Sequence, residues 1–241
     1  MSPHDPLAYL QMLLSKDFES HRYARDKTKP GDRKPLVITI SRDYGALGEQ
    51  IAQELGKCLQ IPVYDKEILG RVAKHTKADK ALLEQYDEQS QAGGISAILY
   101  SLISGTTATV QSYRRALFDV VLDIAHHDCI IVGRGAHLIL KEKAAFRLRI
   151  VGSKPVCGAR VAQEEGLSQS AAEDKVFEIN DKRHKAVNTL YEEHFPSSTL
   201  EHAVNFDLVI NTDRLDAQAA TLVTILALEQ SGVALHRGDK A

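Results

Sequence analysis

Residues 41–50, SRDYGALGEQ, set Gly45 and Gly48 between an apolar, β-branched run (LVITI, 36–40) and a helical pattern (IAQELGKCL, 51–59). A helix start offers free backbone N–H groups and a partial positive charge. Glycines let the chain curl until several of those groups converge on one anion. The chemistry this spacing suggests is phosphate binding. The full pattern G-x-x-x-x-G-K-[ST] adds a lysine for the outer phosphates and a hydroxyl for Mg²⁺. Neither is present; Glu49 falls in that region, and Arg42 is the cation placed to supply the missing charge. Taken alone, the stretch fits a tight β–α turn with an acid at the helix start as well as it fits a phosphate loop.

Other arginines can be tested by helical periodicity. Val110, Tyr113, Leu117, Val120, Val121 and Ile124 form an apolar stripe. Arg114 lies on its flank and Arg115 points away. Arg114 therefore reaches a cleft beside the core, or lays its stem along the edge of the stripe. In the helix expected over 169–194, Ala172, Val176, Ile179, Val187 and Leu190 share one face with Arg183 in its middle. A guanidinium there needs an anion, because burying it unpaired is costly. A phosphate would serve, as would Asp181 or a core-facing glutamate. Ser170 and Glu173 are spaced as a capping box for this helix. Arg134 sits in GRG (133–135) after an apolar run, and Asp65 in VYDK after another; Asp65 could also cap the next helix. Tyr64 and Lys66 are lesser candidates.

Other constellations carry less. His126 and His127 are adjacent and diverge on a helix, which is poor for chelation. GLS (166–168) lacks the glycine frame of a nucleophile elbow. The run EEG reads as a solvated helix end.

The elements that must position these residues alternate. Strands are expected at LVITI, IPVYD, CIIVG, FRLRIVG and FDLVINT. Helices are expected at about 48–59, 66–75, 79–89, 108–126, 154–165, 169–194 and 215–230. Such alternation argues for a parallel sheet covered by helices, with ligands beyond the carboxyl ends of the strands. Residues 1–34 read as an N-terminal helical extension and linker, with Asp5 and Pro6 starting a helix faced by Leu7, Leu10, Leu14 and Phe18. The main domain is expected over 35–232 and a tail over 233–241. The stretch 90–107 carries three glycines and several serines and reads as loop.

The composition of the 241 residues excludes several classes. A net charge of −2 gives no reason to expect a nucleic-acid polymer or an anionic membrane as partner. No apolar run approaches the roughly 20 residues that span a bilayer. The N-terminus lacks a basic region followed by a long apolar core, so no secretion signal is expected. Cys58, Cys129 and Cys157 have no metal-ligand spacing and suggest reduced thiols in a cytoplasmic protein.

Four segments in order carry a resemblance: VITISRDYGALGEQIAQELGKCLQIPVYDKEI, IIVGRGAHLIL, LRIVGSKPVCGARVAQEEGLSQSAAEDKVFEINDKRHKA and FDLVINTDRL. Together they resemble the cytidylate kinase-like family, a divergent branch of the nucleoside monophosphate kinases, over roughly residues 36–230. The resemblance implies a P-loop three-layer α/β/α fold. Its sheet would be mainly parallel and five-stranded, with a helical monophosphate-binding insertion and a mobile lid. The implied reaction moves the γ-phosphoryl group of ATP, with Mg²⁺, to a nucleoside monophosphate such as CMP or dCMP. Ser41, Arg42, Gly45, Ala46 and Gly48 would hold the ATP phosphates, and Asp65, Arg114 and Arg134 the acceptor. Arg183 with Lys182 would stabilise the transferring group, Arg42 standing in for the lysine. No metal ligand is implied in the chain, Mg²⁺ being held by phosphates and water.

Within that resemblance, YRRAL is similar to the family's VREAL, which matches on Arg114. NDKRHKA is similar to its lid segment R-D-x-R-D-x-x-R, of which only Arg183 persists; Asn180 and Val187 take the outer arginine positions. GRG is similar to GRD, with Gly135 in place of the aspartate. The family's first loop resembles SREYGSGG, so the missing lysine is a trait of the branch. Leu47 stands where a small residue is expected and would crowd the N–H groups of the loop. These departures keep a second reading open, a non-catalytic nucleotide sensor, and a third, a kinase for a different small acceptor. Residues 1–25 are the element expected to meet a protein partner or a second copy of the chain.

Overall fold

The computed structural model describes residues 23–25, 34–76, 107–141, 145–191, 200–233 and 235–237. The helix expected near the N-terminus, the one at 79–89 and nearly all of the glycine-bearing stretch lie outside the described residues. Five strands form one sheet: β2 (Val37–Arg42), β3 (Val63–Tyr64), β4 (Cys129–Val132), β5 (Ala145–Val151) and β6 (Leu208–Asn211). Their order is β3-β4-β2-β5-β6, and every pairing is parallel. The chain leaves the central β2 toward one edge, returns through β4, and crosses to β5 on the other side. The strand order therefore reverses at β2, and a crevice opens beyond its carboxyl end.

Strand residues alternate between two cores, which makes three layers. Ile38, Ile40, Ile130, Val132, Leu148 and Ile150 pack with Ile51 and Leu55 of α1 (Gly48–Leu59) and with Ile225 and Leu228 of the last helix, Ala217–Gln230. On the opposite face Val37, Cys129 and Ile131 pack with Ile68 of α2 (Glu67–Thr76) and with Leu117, Val121 and Ile124 of α3 (Thr107–Ile124). A short helix the periodicity did not mark, α4 (Ala136–Ile139), follows the GRG turn. α5 (Lys154–Glu165) and α6 (Gln169–Tyr191) form a helical hairpin, and α7 is the helix Ala217–Gln230. α6 belongs to both cores: Ala172 and Val176 join the first, Val187, Leu190 and Tyr191 the second.

Three expectations change. α6 is capped by Ser168, not Ser170: the Ala171 N–H donates to Ser168 Oγ at 3.3 Å, because the helix begins at Gln169. The IPVYD run contributes only two strand residues, since β3 is an edge strand paired to β4 alone. The segments read as linker and tail each hold a three-residue strand, β1 (Tyr23–Arg25) and β7 (Leu235–Arg237), which pair antiparallel with each other. So short a pair has no periodicity to read.

Candidate functional site

The Arg42 side chain ends β2 and runs back under the loop, and two glycines make its path. A Cβ on Gly48 would lie 2.5 Å from Arg42 Cβ and Cγ, and one on Gly133 would lie 2.6 Å from Arg42 Nη1. At Gly48 that distance excludes a side chain; at Gly133 the tip of Arg42 would have to move, and the left-handed backbone (φ 76°) also favours glycine. Arg42, 9% exposed, donates from Nε to Glu49 Oε1 at 2.8 Å and approaches Asp65 Oδ1 at 3.7 Å through Nη2.

Arg183 arrives from α6. Its Nη1 donates to the Arg42 carbonyl at 3.0 Å, its Nη2 stands 3.7 Å from Glu49 Oε1, and its guanidinium lies 5.7 Å from the centroid of the Tyr44 ring. The inward face read from periodicity is observed, and the carboxylate that meets it is Glu49 of α1. Asp181 pairs with Lys185 instead. Burial, reinforced by the nearby Arg42 charge, lowers the Arg183 pKa to about 10. Burial alone would raise the Glu49 pKa; Arg42 and then Arg183 outweigh it and hold the carboxyl below its ordinary value.

The loop itself is held open by its carbonyls. Arg160 donates to Gly45 O at 3.2 Å, to Thr212 Oγ1 at 3.1 Å and to Thr212 O at 2.6 Å; Thr212 Oγ1 lies 3.2 Å from Ala46 O. A trans peptide points its C=O and the next N–H in opposite directions, so the Ala46 and Leu47 N–H groups face away from these anchors. The N–H groups of Gly45, Leu47 and Gly48 make no hydrogen bond among the described residues. Leu47 adopts a left-handed conformation (φ 64°), and its side chain packs against the first core. The crowding expected of this leucine is relieved in that way. The Tyr44 N–H donates to Asn180 Oδ1 at 2.8 Å, so α6 holds the loop through Asn180 as well as Arg183. The Tyr44 hydroxyl donates to Glu165 at 2.5 Å, and burial followed by this carboxylate pushes the phenol pKa upward.

A cleft beside the loop is lined by Ser41, Arg42, Gly133, Arg134 and Arg183, with an apolar wall that includes Tyr113, Leu117 and Tyr191. Arg134 has φ 58° between two glycines that are also left-handed. Tyr191, fully buried, donates its hydroxyl to the Arg134 carbonyl at 2.6 Å; a Cβ on Gly135 would lie 2.2 Å from its ring. The end of α6 thus clamps the GRG turn.

Of the residues singled out in the sequence, Ser41, Arg42, Arg134 and Arg183 meet in this cleft. Gly45, Ala46 and Gly48 form the adjoining loop, and Asp65 joins through Arg42. Arg114 donates to the Leu190 carbonyl at 3.3 Å, where a cation suits the helix C-terminus. Lys182 pairs with Glu178 along α6, and Lys66 is exposed. The Tyr64 ring carries Arg71, 4.9 Å from its centroid.

Sequence reasoning missed Arg149, Arg160, Thr212, Tyr191 and His137. Arg149 left a signal, a charge inside a strand covered on both faces. Its Nη2 bonds Asp43 Oδ1 at 2.5 Å, fixing the first loop residue to β5. Arg160 left none, since an arginine on a helix surface is ordinary.

The sequence model of the cytidylate kinase-like family matches residues 37–214. A search of curated proteins gives no match. Among solved structures, an uncharacterized protein from Eubacterium ventriosum is similar at 22% identity, with 80% of this chain and 98% of that one covered and a TM-score of 0.60. A shikimate kinase from Bacteroides thetaiotaomicron has 13% identity, coverage of 81% and 98%, and a TM-score of 0.44. A gluconokinase from Sinorhizobium meliloti has 14%, 83% and 98%, and 0.41.

Two predictions concern how the site is held. Asp43→Asn leaves the buried Arg149 guanidinium without a carboxylate and is expected to destabilise the fold by about 3 kcal/mol, read as a lower urea midpoint at unchanged slope. An unchanged midpoint would mean that the carbonyls around Arg149 suffice. The second concerns His137, whose pKa burial, with Arg149 and Arg147, depresses from 6.5 to about 3. Between those values the unfolded chain binds more protons than the fold. The contribution of His137 is therefore complete above about pH 6.5 and is lost as the pH falls toward 3. Stability measured across that window should fall less steeply in His137→Asn.

Proposed function

The chain belongs to the cytidylate kinase-like family, and on that premise we propose that it transfers the γ-phosphoryl group of ATP to a nucleoside monophosphate of the CMP or dCMP kind. The observation that carries this reading is the meeting of Arg42, Arg134 and Arg183 at one cleft, beside a loop whose N–H groups at Gly45, Leu47 and Gly48 make no bond among the described residues. Phosphoryl transfer asks little covalent chemistry of a protein. It asks for alignment and for positive groups around a charge-rich transition state. Ser41, Arg42 and residues 45–48 would hold the ATP phosphates. Arg183, reaching both the Arg42 carbonyl and Glu49, would bridge donor and acceptor. Arg134 and the wall formed by Tyr113 and Tyr191 would seat the acceptor, with Arg114 and Asp65 supporting from behind.

Among the described residues no three His, Cys, Asp or Glu side chains gather to hold a metal. The carboxylates nearest the loop, Glu49 and Asp65, face Arg42. Mg²⁺ therefore fits here as an ion held by nucleotide phosphates and water, where it would neutralise charge on the transferring group. The free thiols of Cys58, Cys129 and Cys157 suit a cytoplasmic location, and no described helix is long and apolar enough to cross a membrane. A protein partner or a second copy would meet residues 1–25.

Two of the guanidinium groups, Arg42 and Arg183, face two carboxylates, Glu49 and Asp65, so those charges are balanced before any phosphate arrives. A nucleotide held by that pair would compete with a carboxylate, and Glu49, 49% exposed, is the one at the surface. That balance, with Lys182 held by Glu178, favours as second reading a nucleotide sensor that binds without turnover.

A coupled assay with a mononucleotide panel, Mg²⁺ and millimolar ATP should show diphosphate formation, reduced about 10²–10³-fold in Arg183→Ala. Calorimetric binding of ATP without turnover of any mononucleotide would establish the sensor instead. Glu49→Gln should tighten ATP binding a few-fold, the scale of a partly exposed ion pair of about 0.5–1 kcal/mol. Weaker binding in Glu49→Gln would show that this carboxylate supports the nucleotide.

A further inference from the structure

Ser41 and His137 form a buried pair on the cleft side of the sheet, outside the arginine cluster. Ser41 is 5% exposed and lines the cleft with Arg42, Arg134 and Arg183; its Oγ lies 3.2 Å from His137 Nδ1. His137 is 1% exposed and belongs to α4, immediately behind the GRG turn. Its ring stacks on Phe206 with centroids 4.8 Å apart. Its Nε2 has no hydrogen-bond partner among the described residues. Burial keeps the ring neutral, and the charged groups around it, Arg149 and Arg147, are both cations that reinforce this.

A neutral imidazole carries one proton, and the bonds it makes decide which nitrogen holds it. With the proton on Nε2, a buried N–H points at no acceptor, which folded proteins largely avoid. With the proton on Nδ1, that N–H donates to Ser41 Oγ and only a lone pair is left bare. The second tautomer has a consequence in the cleft. A hydroxyl that accepts from His137 keeps its own hydrogen free to donate elsewhere, and the cleft is where Ser41 is open.

We propose that His137 is a positioning residue: its Nδ1–H fixes Ser41 Oγ as an acceptor, so that the Ser41 hydroxyl hydrogen donates to an anionic oxygen bound among Arg42, Arg134 and Arg183. This rests on the phosphate-handling reading of the site and adds to it a neutral donor oriented before the ligand arrives. Such a donor strengthens an anion site without adding a charge beside Arg42 and Arg183, which Glu49 and Asp65 already face. The pair also accounts for a buried histidine at this place, stacked on Phe206.

Long-range ¹H–¹⁵N correlation spectra of the full-length protein test the tautomer directly. The His137 ring is expected in the Nδ1–H form from neutral pH down to about pH 5, a signature that packing alone does not set. Inorganic phosphate titrations supply the second arm. Ser41→Ala and His137→Phe should each weaken phosphate binding about 10-fold, the scale of one hydrogen bond to a charged group, and the double variant should weaken it no further. His137→Asn, whose amide N–H can donate to Ser41, should retain most of the affinity. If His137→Phe does not fold, the wild-type spectrum together with Ser41→Ala and His137→Asn decides. An Nε2–H ring in a protein that binds phosphate overturns this proposal alone. So does a folded His137→Phe with undiminished affinity. Failure of the wild-type protein to bind phosphate overturns the phosphate-handling reading itself, and this proposal with it.

Discussion

The buried guanidinium of Arg42 is the constraint around which the rest of the site is arranged. A charge that is 9% exposed must be matched within a few ångströms or it destabilises the fold. Here the matching reaches outward through three elements. Gly48 at the start of α1 and Gly133 after β4 clear its path, and Glu49 and Asp65 neutralise it. Its own carbonyl takes the bond from Arg183 that joins α6 to the loop. A lysine in the loop would send one flexible charge toward a phosphate. An arginine threaded under the loop makes five donors part of the scaffold instead.

That arrangement changes what the loop is for. Its carbonyls at Gly45 and Ala46 are held by Arg160 and Thr212, so its N–H groups turn the other way without help from a ligand. Its first residue, Asp43, is fixed to β5 through Arg149, and Tyr44 to α6 through Asn180. Each anchor comes from a different element, all of them at the carboxyl end of the sheet where the strand order reverses. The loop is therefore tied to β5, to α5 and to the end of β6, and α6 is part of its wall.

Much of this was legible in the sequence because the signals were local. Strands covered on both faces read as continuous β-branched runs, and β2, β4 and β5 fall where those runs stand. Arg183 stood out because helical periodicity put a charge on an apolar face, and the structure places it there. Its partner Glu49 was visible only as an acid at the start of a helix, since nothing in a sequence says that two distant segments will meet. Arg160 and Thr212 were illegible for the same reason, each being ordinary on its own element. Ser170 misled because it is a good capping residue two positions too late, and the helix had already begun at Gln169.

Two side chains other than glycine are left-handed around the cleft, Leu47 in the first loop and Arg134 in the GRG turn. Such backbone persists only where the surroundings over-determine it, and both cases show how. Leu47 is held by its packing against the first core, Arg134 by the Tyr191 hydroxyl on its carbonyl and by the ring against Gly135. The strain is thus borne by the two cores. The charges of the cleft are held less evenly than its backbone. The guanidinium groups are buried and tethered, Asp65 lies behind Arg42, and Glu49 alone of the cluster stands half in solvent. Glu49 is thus the most exposed member of the cluster, and the two guanidinium groups are its most buried.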